Sequence, residues 1–192
     1  MRAYARITVL ALTLGVGTGA ALADPGAAPS QASQPAKWVS RNVDFTYQGF
    51  TSQYSCDGLR SSVVTILRAF GARRKDLQVQ ITPCAAIGNS EISFSPGVRG
   101  TISVLVPATA AEVSSGDPRI VQAHWKTVDL MHSRKLDNEH GGQCELLEQS
   151  KRGLLPMFTT RNLDFTSNCI PHQTFSGGMT FKVDVLQADP KA

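Results

Sequence analysis

After its first 23 residues the sequence contains no long hydrophobic run, and nowhere does it contain a motif that identifies a substrate. No later segment approaches the roughly 20 apolar residues that a membrane-spanning helix needs. A phosphate-binding loop, a dinucleotide-binding fingerprint and a haem-attachment motif are all missing. These absences exclude membrane insertion by helices beyond the first residues, and they leave no cofactor to expect.

The chain also lacks a strong excess of charge of either sign. It has 19 basic and 15 acidic residues, a formal net charge of +4. Arg2 and Arg6 lie in the segment that we predict to be removed, and that segment carries no acid, so the remaining chain has a balance of +2. A nearly neutral protein gives no support for binding to nucleic acid or to an anionic membrane.

The first residues are typical of a secretory signal. A short basic start precedes an uncharged apolar stretch, and Ala21-Leu22-Ala23 fits the small-x-small cleavage rule. We therefore predict that residues 1–23 are a signal peptide and that the mature chain begins at Asp24. Residues 24–37 are rich in Ala, Pro, Ser and Gln, which predicts a disordered linker before a single domain over residues 38–192.

The four cysteines predict two disulfides. An exported chain matures in an oxidising compartment, where four cysteines usually form two bridges, and the sequence alone allows three ways to pair them. A helix of about 15 residues and a returning strand of about 7 residues have similar lengths, so a strand antiparallel to its helix ends beside the first turn of that helix. This geometry favours the pairs Cys56–Cys84 and Cys144–Cys169.

Hydrophobic spacing predicts strand, helix, strand and strand in the first half of the chain. Residues 43–47 alternate like a half-buried strand, and strands are also predicted near 77–82 and 101–106, with a short strand near 92–94. Between the first two strands, Ser55 is suited to cap a helix, and Gly71 is suited to end it. The apolar stripe of that helix is Leu59, Val63, Ile66, Leu67 and Phe70.

The second half repeats this order of elements. Strands are predicted near 121–126, 163–169 and 179–185, with a helix that begins at Cys144. Pro156 is expected to kink or shorten that helix, because proline lacks an amide hydrogen and crowds the preceding turn.

The two halves align on their opening cysteines. Placing Cys56 on Cys144 gives an offset of 88 residues and preserves four of the five stripe positions. We therefore predict an internal repeat, with units at about 43–107 and 119–186. A chance similarity between two ordinary amphipathic segments is the alternative.

The predicted fold class is α+β, with two βαββ units that share one largely antiparallel sheet and carry both helices on one face. The residues predicted to face the helices are Phe45, Val79, Val104, Trp125, Phe165 and Phe181. The residues predicted to form the opposite, solvated face are Thr46, Gln48, Gln80, His124, Lys126 and Lys182. A solvated second face is ordinary for an antiparallel sheet.

The segment at residues 54–59 (YSCDGL) resembles the Asp-Cys-Ser-Gly-Leu segment of the NlpC/P60 cell-wall peptidases. The resemblance implies a nucleophilic Cys56 at a helix N-terminus, where a thiolate is stabilised, with His124 on a later strand as its base. It covers about six residues, the order of Ser and Asp is reversed, and the Gly-His-Val-Gly pattern of the family is absent. A disulfide with Cys84 is the competing interpretation of Cys56.

Two further groups of polar side chains are candidates for chemistry. A copper or zinc site would use His132, His140 and His172, with Met131, because soft ligands select copper in exported proteins. Paired carboxylates that could act in acid–base chemistry are Asp129, Asp137, Glu139 and Glu145. For both groups the simpler interpretation is a solvated surface loop, so we predict no catalytic and no metal residues.

Residues 45–50 (FTYQGF) and 54–60 (YSCDGLR) are similar to segments of small secreted proteins of Gram-negative bacteria, and this resemblance implies a periplasmic setting without an activity. We therefore expect an exported binding or accessory protein, periplasmic or secreted, with a protein as its possible partner. Binding would use the exposed sheet face or the loops at 85–100 and 131–143, since loops of that length are often functional. The alternatives are a cysteine hydrolase and a copper or zinc binder.

Overall fold

Alternating apolar residues build an antiparallel sheet in the computed structural model, which describes residues 32–50, 53–82, 92–93, 95–131, 143–170 and 178–190. The strands are β1 (Gln34–Thr46), β2 (Tyr54–Ser55), β3 (Gln78–Ile81), β4 (Ile92–Ser93), β5 (Gly97–Pro107), β6 (Ile120–Asp129), β7 (Thr160–Thr166) and β8 (Thr180–Ala188). The helices are α1 (Cys56–Ala69), α2 (Ala110–Ser114) and α3 (Gln143–Gly153), with 3₁₀ turns at Arg74–Asp76 and Leu155–Met157. The predicted α+β class is confirmed.

The main sheet has six strands among the described residues, in the order β3-β5-β1-β6-β8-β7, and β2 and β4 form a separate two-stranded ribbon. Every neighbouring pair is antiparallel. Outward from the centre, β1, β5 and β3 follow each other on one side, and β6, β8 and β7 on the other. The predicted internal repeat itself stays a prediction.

Strand β1 joins the two halves of the sheet through a short contact. It pairs with β5 from Ala36 to Thr46, but it pairs with β6 only from Gln34 to Lys37. Beyond Trp38, whose N–H donates to the carbonyl of Arg119, β6 offers no further partner, because that strand begins at Ile120.

Helix α1 begins and ends as its sequence predicts. The Ser55 hydroxyl accepts a hydrogen bond from the N–H of Gly58, and Asp57 lies in the positively polarised first turn. Gly71, just past the helix, has φ +95°, a conformation that residues with a Cβ rarely adopt. All five residues of the predicted stripe are fully buried: Leu59, Val63, Ile66, Leu67 and Phe70.

Helix α3 is shorter than α1, as the proline predicts. It ends at Gly153, and Pro156 lies within the following 3₁₀ turn. Leu147, Leu154 and Phe158 are buried. The Phe158 ring lies 5.4 Å from that of Phe70, so the ends of the two helical segments meet in one core.

The sheet has two distinct apolar clusters. The main core lies between the helices and the sheet and contains Phe45, Val79, Val104 and Phe181, with Phe165 packed against it, as predicted. The second cluster is Ala36, Leu105, Ala123 and Leu186, with Trp38, Val121, Trp125 and Ala188 packed against it.

The prediction for strand β6 was wrong about which residues face the helices. Trp125 packs in the second cluster together with Ala123, whereas Val128 belongs to the main core. Because side chains alternate between the faces of a strand, His124 and Lys126 share the face of Val128, not the opposite one. An alternating pattern fixes which residues share a face but does not say which face meets the helices.

Each tryptophan of the second cluster lies under an arginine. The guanidinium carbon of Arg73 is 4.9 Å from the centre of the Trp38 ring, and that of Arg161 is 4.4 Å from the Trp125 ring. Such contacts stabilise by about 0.5–2 kcal/mol, depending on how far water is excluded. They anchor the start of β7, and the segment that follows α1, against the central strands.

The N-terminal boundary differs from the prediction. Strand β1 begins at Gln34, so residues 34–37 lie in the sheet although their composition predicted a linker. Pro35 and Ala36 are weak strand formers, and pairing with β6 overrides that propensity. The predicted signal peptide and residues 24–31 lie outside the described residues.

One disulfide of the predicted pair is present among the described residues. Cys144 is bonded to Cys169, with 5.8 Å between their Cα atoms. Cys56 is also disulfide-bonded. Its predicted partner, Cys84, lies outside the described residues, so that pairing stays a prediction. Within the described ranges, no helix has both the length and the apolar character needed to cross a membrane.

A buried carboxylate ties β6, β7 and β8 together on the side of the second cluster. Asp184 accepts hydrogen bonds from Thr127 Oγ1 at 2.6 Å, Asn162 Nδ2 at 2.8 Å and Arg161 Nε at 3.3 Å. Asn162 has φ +52° at an irregularity in the pairing of β7 with β8. The hydrogen bond from Thr127, followed by those from Asn162 and Arg161, holds the pKa of Asp184 below its ordinary value.

We predict that Asp184→Asn lowers the free energy of unfolding at pH 7 by about 1–3 kcal/mol, because hydrogen bonds to a charged group stabilise by that amount. The folded pKa of Asp184 lies below the unfolded value of about 3.9, so this stabilisation is present above about pH 4 and is lost as the pH falls through the folded pKa. Urea unfolding between pH 2 and 7 measures this pH dependence of the free energy of unfolding.

Asp164→Asn is the control, because Asp164 is an exposed aspartate on the neighbouring strand β7. It should change stability by less than about 0.5 kcal/mol. A deficit in Asp184→Asn that is constant down to pH 2 would contradict this account.

Candidate site: a cleft between β1 and α3

The end of β1 and one face of α3 enclose a cleft of about 560 Å³. The lining residues from the strand side are Asp44, Phe45, Thr46, Gln48 and Phe50. The lining residues from the helix side are Glu145, Glu148, Gln149, Arg152 and Gly153, with Cys169 beyond them. The four polar residues of α3 recur at intervals of three and four, which places them on one face of the helix.

Two contacts fix the helix against the strand. Gln149 Oε1 accepts from the N–H of Gln48 at 2.9 Å, and Gln149 Nε2 donates to the carbonyl of Gln48 at 2.7 Å. One turn further along the helix, Phe45 packs so closely on Gly153 that a Cβ there would lie 3.0 Å from the ring. Contacts within the chain therefore hold the two walls of the cleft.

A buried carboxylate lies on the helix side of the cleft. Glu145 is only 7% exposed, and its Oε2 accepts from the Tyr47 hydroxyl at 3.1 Å and from the N–H of Phe50 at 3.0 Å. Its place in the first turn of α3 also favours a negative charge. Tyr54 packs edge-on against Tyr47, with 5.0 Å between ring centres.

The two tyrosines beside Glu145 are held in their neutral form. Burial, and then the charge of Glu145, raises the pKa of Tyr54 to about 12. The same two causes, together with the hydrogen bond from its hydroxyl to Glu145, raise the pKa of Tyr47 further above its ordinary value. Both phenols therefore stay protonated at neutral pH.

The disulfide lies beside the cleft, which Cys169 helps to line. Cys144 lies in the first turn of α3, and its bond to Cys169 holds the segment that follows β7 against the helix. Ser167, in that segment, donates from its hydroxyl to Glu148 Oε1 at 2.5 Å and lies 3.1 Å from Cys169 Sγ. The bridge thereby fixes the position of a second carboxylate.

The residues of the hydrolase hypothesis are not arranged for catalysis. Cys56 is in a disulfide and has no thiol to act as a nucleophile. His124 hydrogen-bonds through Nδ1 to Asp189 Oδ1 at 2.6 Å, and the other oxygen of that carboxylate accepts from Ser33 Oγ at 2.8 Å. These contacts tie the end of β8 to the chain just before β1.

Most of the predicted metal and carboxylate candidates lie outside the described residues: His132, His140, His172, Asp137 and Glu139. Of the remaining candidates, Asp129 lies 3.5 Å from Lys182 Nζ and accepts from the N–H of Met131, and Glu145 lines the cleft. The part of the chain that the structure describes holds no group of three side chains suited to bind a metal ion.

The sequence did not predict the cleft. The sequence did single out several lining residues, but each for a separate reason. Phe45 was predicted to face the helices, Thr46 and Gln48 to belong to a solvated face, Cys169 to form a disulfide, and Glu145 was one of four candidate acids. Gln149 carried no signal, because its role depends on a contact with Gln48, 101 residues away. The loops at 85–100 and 131–143, which were also predicted to bind, lie largely outside the described residues.

No family model, curated protein or solved structure matches the chain. The geometry of the cleft and the pattern of the sheet therefore carry the functional argument.

We predict that Glu145→Gln lowers the pKa of both tyrosines of the mature chain, because the substitution removes a neighbouring negative charge that opposes their ionisation. Absorbance at the tyrosinate band, followed from pH 8 to 12.5, should show a midpoint at lower pH than in the wild type. A tyrosine whose folded pKa is raised stabilises the fold below its unfolded pKa of about 10, and this stabilisation is lost as the pH rises through the folded pKa.

Glu148→Gln is the matched control for this titration, since Glu148 bonds to Ser167 and to neither tyrosine. It should leave the midpoint unchanged. Equal shifts in the two variants, or no shift in Glu145→Gln, would contradict the described environment of the tyrosines.

Proposed function

We propose that this chain is an exported, disulfide-stabilised binding protein without catalysis of its own, and that the cleft between β1 and α3 is its binding site. The observation that carries the proposal is the preformed cleft, whose walls are held by the Gln48–Gln149 amide pair and by the Cys144–Cys169 bridge. Its volume falls within the range of about 300–1,000 Å³ that is typical of ligand sites.

The chemistry of the lining supports binding rather than catalysis. Glu145 already accepts from a phenol and a backbone amide, and Glu148 accepts from a serine hydroxyl. No described histidine or thiol lies among the lining residues. Such a site offers charge, hydrogen bonds and an exposed ring at Phe50, and its two glutamates already accept hydrogen bonds from the protein.

Export is proposed on two grounds. The first 23 residues have the pattern of a secretory signal, and the disulfide between Cys144 and Cys169 belongs to an oxidising compartment. The periplasm or the extracellular medium is the proposed location.

The internal repeat belongs to the same proposal. Two observations support it. The strand order outward from β1 (β1-β5-β3) matches the order outward from β6 (β6-β8-β7). The Arg73–Trp38 contact also has a counterpart in Arg161–Trp125. Trp125 follows Trp38 by 87 residues and Arg161 follows Arg73 by 88, close to the cysteine offset of 88.

The binding site is tested with the ¹⁵N-labelled mature chain, residues 24–192, titrated with defined short peptides, oligosaccharides and polyamines. At least one class should shift the amide signals of Asp44, Gln48 and Gln149. Gln48→Trp, which places a large side chain in the cleft, should weaken that binding by at least about tenfold, or roughly 1.4 kcal/mol.

Gln80→Trp is the control, because Gln80 is also exposed on the sheet but lies outside the cleft. It should bind like the wild type. The proposal fails if no class perturbs the cleft amides, or if both tryptophan variants weaken binding equally.

A further inference from the structure

One backbone edge of β1 has no strand beside it among the described residues. The pairing with β6 ends at Lys37, with one more bond from the Trp38 N–H to the Arg119 carbonyl, whereas the pairing with β5 continues to Thr46. We call the backbone edge of residues Ser40–Thr46 that faces away from β5 the inner edge of β1. Strand β6 does not extend beside it, because β6 begins at Ile120, opposite Lys37.

The direction of the backbone groups along the inner edge follows from two hydrogen bonds. The N–H of Tyr47 donates to the carbonyl of Pro96, on the side of β5, and the N–H of Trp38 donates on the side of β6. Because backbone groups alternate between the two sides of an antiparallel strand, the even-numbered residues direct their N–H and C=O groups to the inner edge. These residues are Ser40, Asn42, Asp44 and Thr46.

These groups have no backbone partner among the described residues. Four residues present four donors and four acceptors over about 20 Å, at roughly 3.3 Å per residue. An open row of this kind is the usual template for pairing with another strand.

The next even-numbered residue shows how such groups are satisfied. The N–H and the carbonyl of Gln48 are both bonded by the side-chain amide of Gln149. The amide thus copies the two bonds that one residue of a paired strand would make. Gln149 also marks where an added strand must end, because the place beside Gln48 is taken.

The inner edge continues into the cleft, since Asp44 and Thr46 belong to both. An extended chain beside Ser40–Thr46 would therefore run into the space between β1 and α3. From these contacts we infer that the ligand of the cleft is an extended peptide that adds to the inner edge of β1 as a strand. The inference rests on the proposed function, because it names the ligand class of the same site.

The charge of the cleft indicates which peptide fits. Its charged lining residues are three acids, Asp44, Glu145 and Glu148, against one base, Arg152. Asp44 is paired with Arg99 at 2.9 Å, so with this second base the remaining balance is one negative charge. Phe50, at 65% exposure, offers an apolar surface to the stem of a long side chain. The site should prefer a peptide with lysine or arginine side chains over an acidic one.

The test uses a blocked six-residue peptide of alternating lysine and threonine, titrated into the mature chain and followed by amide chemical shifts. It should bind at the cleft and shift the amides of Asn42, Asp44 and Thr46. The same peptide N-methylated at every residue keeps its side chains but cannot donate backbone hydrogen bonds. It should show no binding, and equal binding of both peptides would overturn the inference.

Thr46→Pro tests the same bonds from the protein side. Its proline would remove an N–H that points to the inner edge and takes no part in pairing with β5, so the sheet tolerates it. The variant should bind the peptide at least about tenfold more weakly, whereas Thr46→Ala, which keeps the N–H, should stay within about twofold. If Thr46→Pro binds the peptide with wild-type affinity, the inference is overturned. If this variant does not fold, the methylated peptide alone tests whether backbone hydrogen bonds hold the ligand.

The outcomes separate this inference from the proposed function. If the peptide binds at the cleft equally well with and without methylation, or if only an oligosaccharide binds, the cleft is still the binding site. The inference that the ligand adds to β1 as a strand is then wrong. Failure of every probe at the cleft removes both. Sedimentation that shows dimers, dissociated by Thr46→Pro but not by Thr46→Ala, would make a second copy of this chain the occupant and overturn the peptide.

Discussion

The unequal pairing of β1 is the constraint on which the rest of the structure depends. This strand is bonded to β5 along its length and to β6 over four residues only. The short contact joins the two halves of the sheet, and it ends where β6 begins, at Ile120 opposite Lys37. A β6 that began earlier in the chain would pair with more of β1 and remove the inner edge.

The cleft is stabilised by contacts distant in sequence. Gln149 reaches Gln48 across 101 residues, and the buried Glu145 reaches the hydroxyl of Tyr47 across 98. A buried carboxylate without hydrogen bonds would cost several kcal/mol, so Tyr47 and the amide of Phe50 are needed for α3 to start where it does. The contacts of Glu145 and Gln149 with the end of β1 therefore hold α3 in place and keep the shape of the cleft fixed.

The elements that the sequence predicts well are those with a strong local signal. Ser55 and Gly71 bracket α1 because a hydroxyl cap and a positive φ are local requirements, and the apolar stripe between them is buried as expected. Two predictions were wrong: that Trp125 faces the helices, and that residues 34–37 belong to a linker. Both features depend on which strand lies alongside, and a local pattern does not show that. At the cleft, the Cys144–Cys169 bridge was predictable from the spacing of the cysteines. The set of lining residues was not, because it forms only when the end of β1 and helix α3 come together in the fold.

Hydrogen exchange of the β1 amides in the ligand-free mature chain tests the central claim most directly. An open inner edge predicts alternation: the N–H groups of Ser40, Asn42, Asp44 and Thr46 should exchange fast, and those of the odd-numbered residues between them slowly, because the latter bond to β5. Slow exchange at both sets would mean that the inner edge is covered in the free protein, and the account of the cleft as a strand-binding site would be wrong.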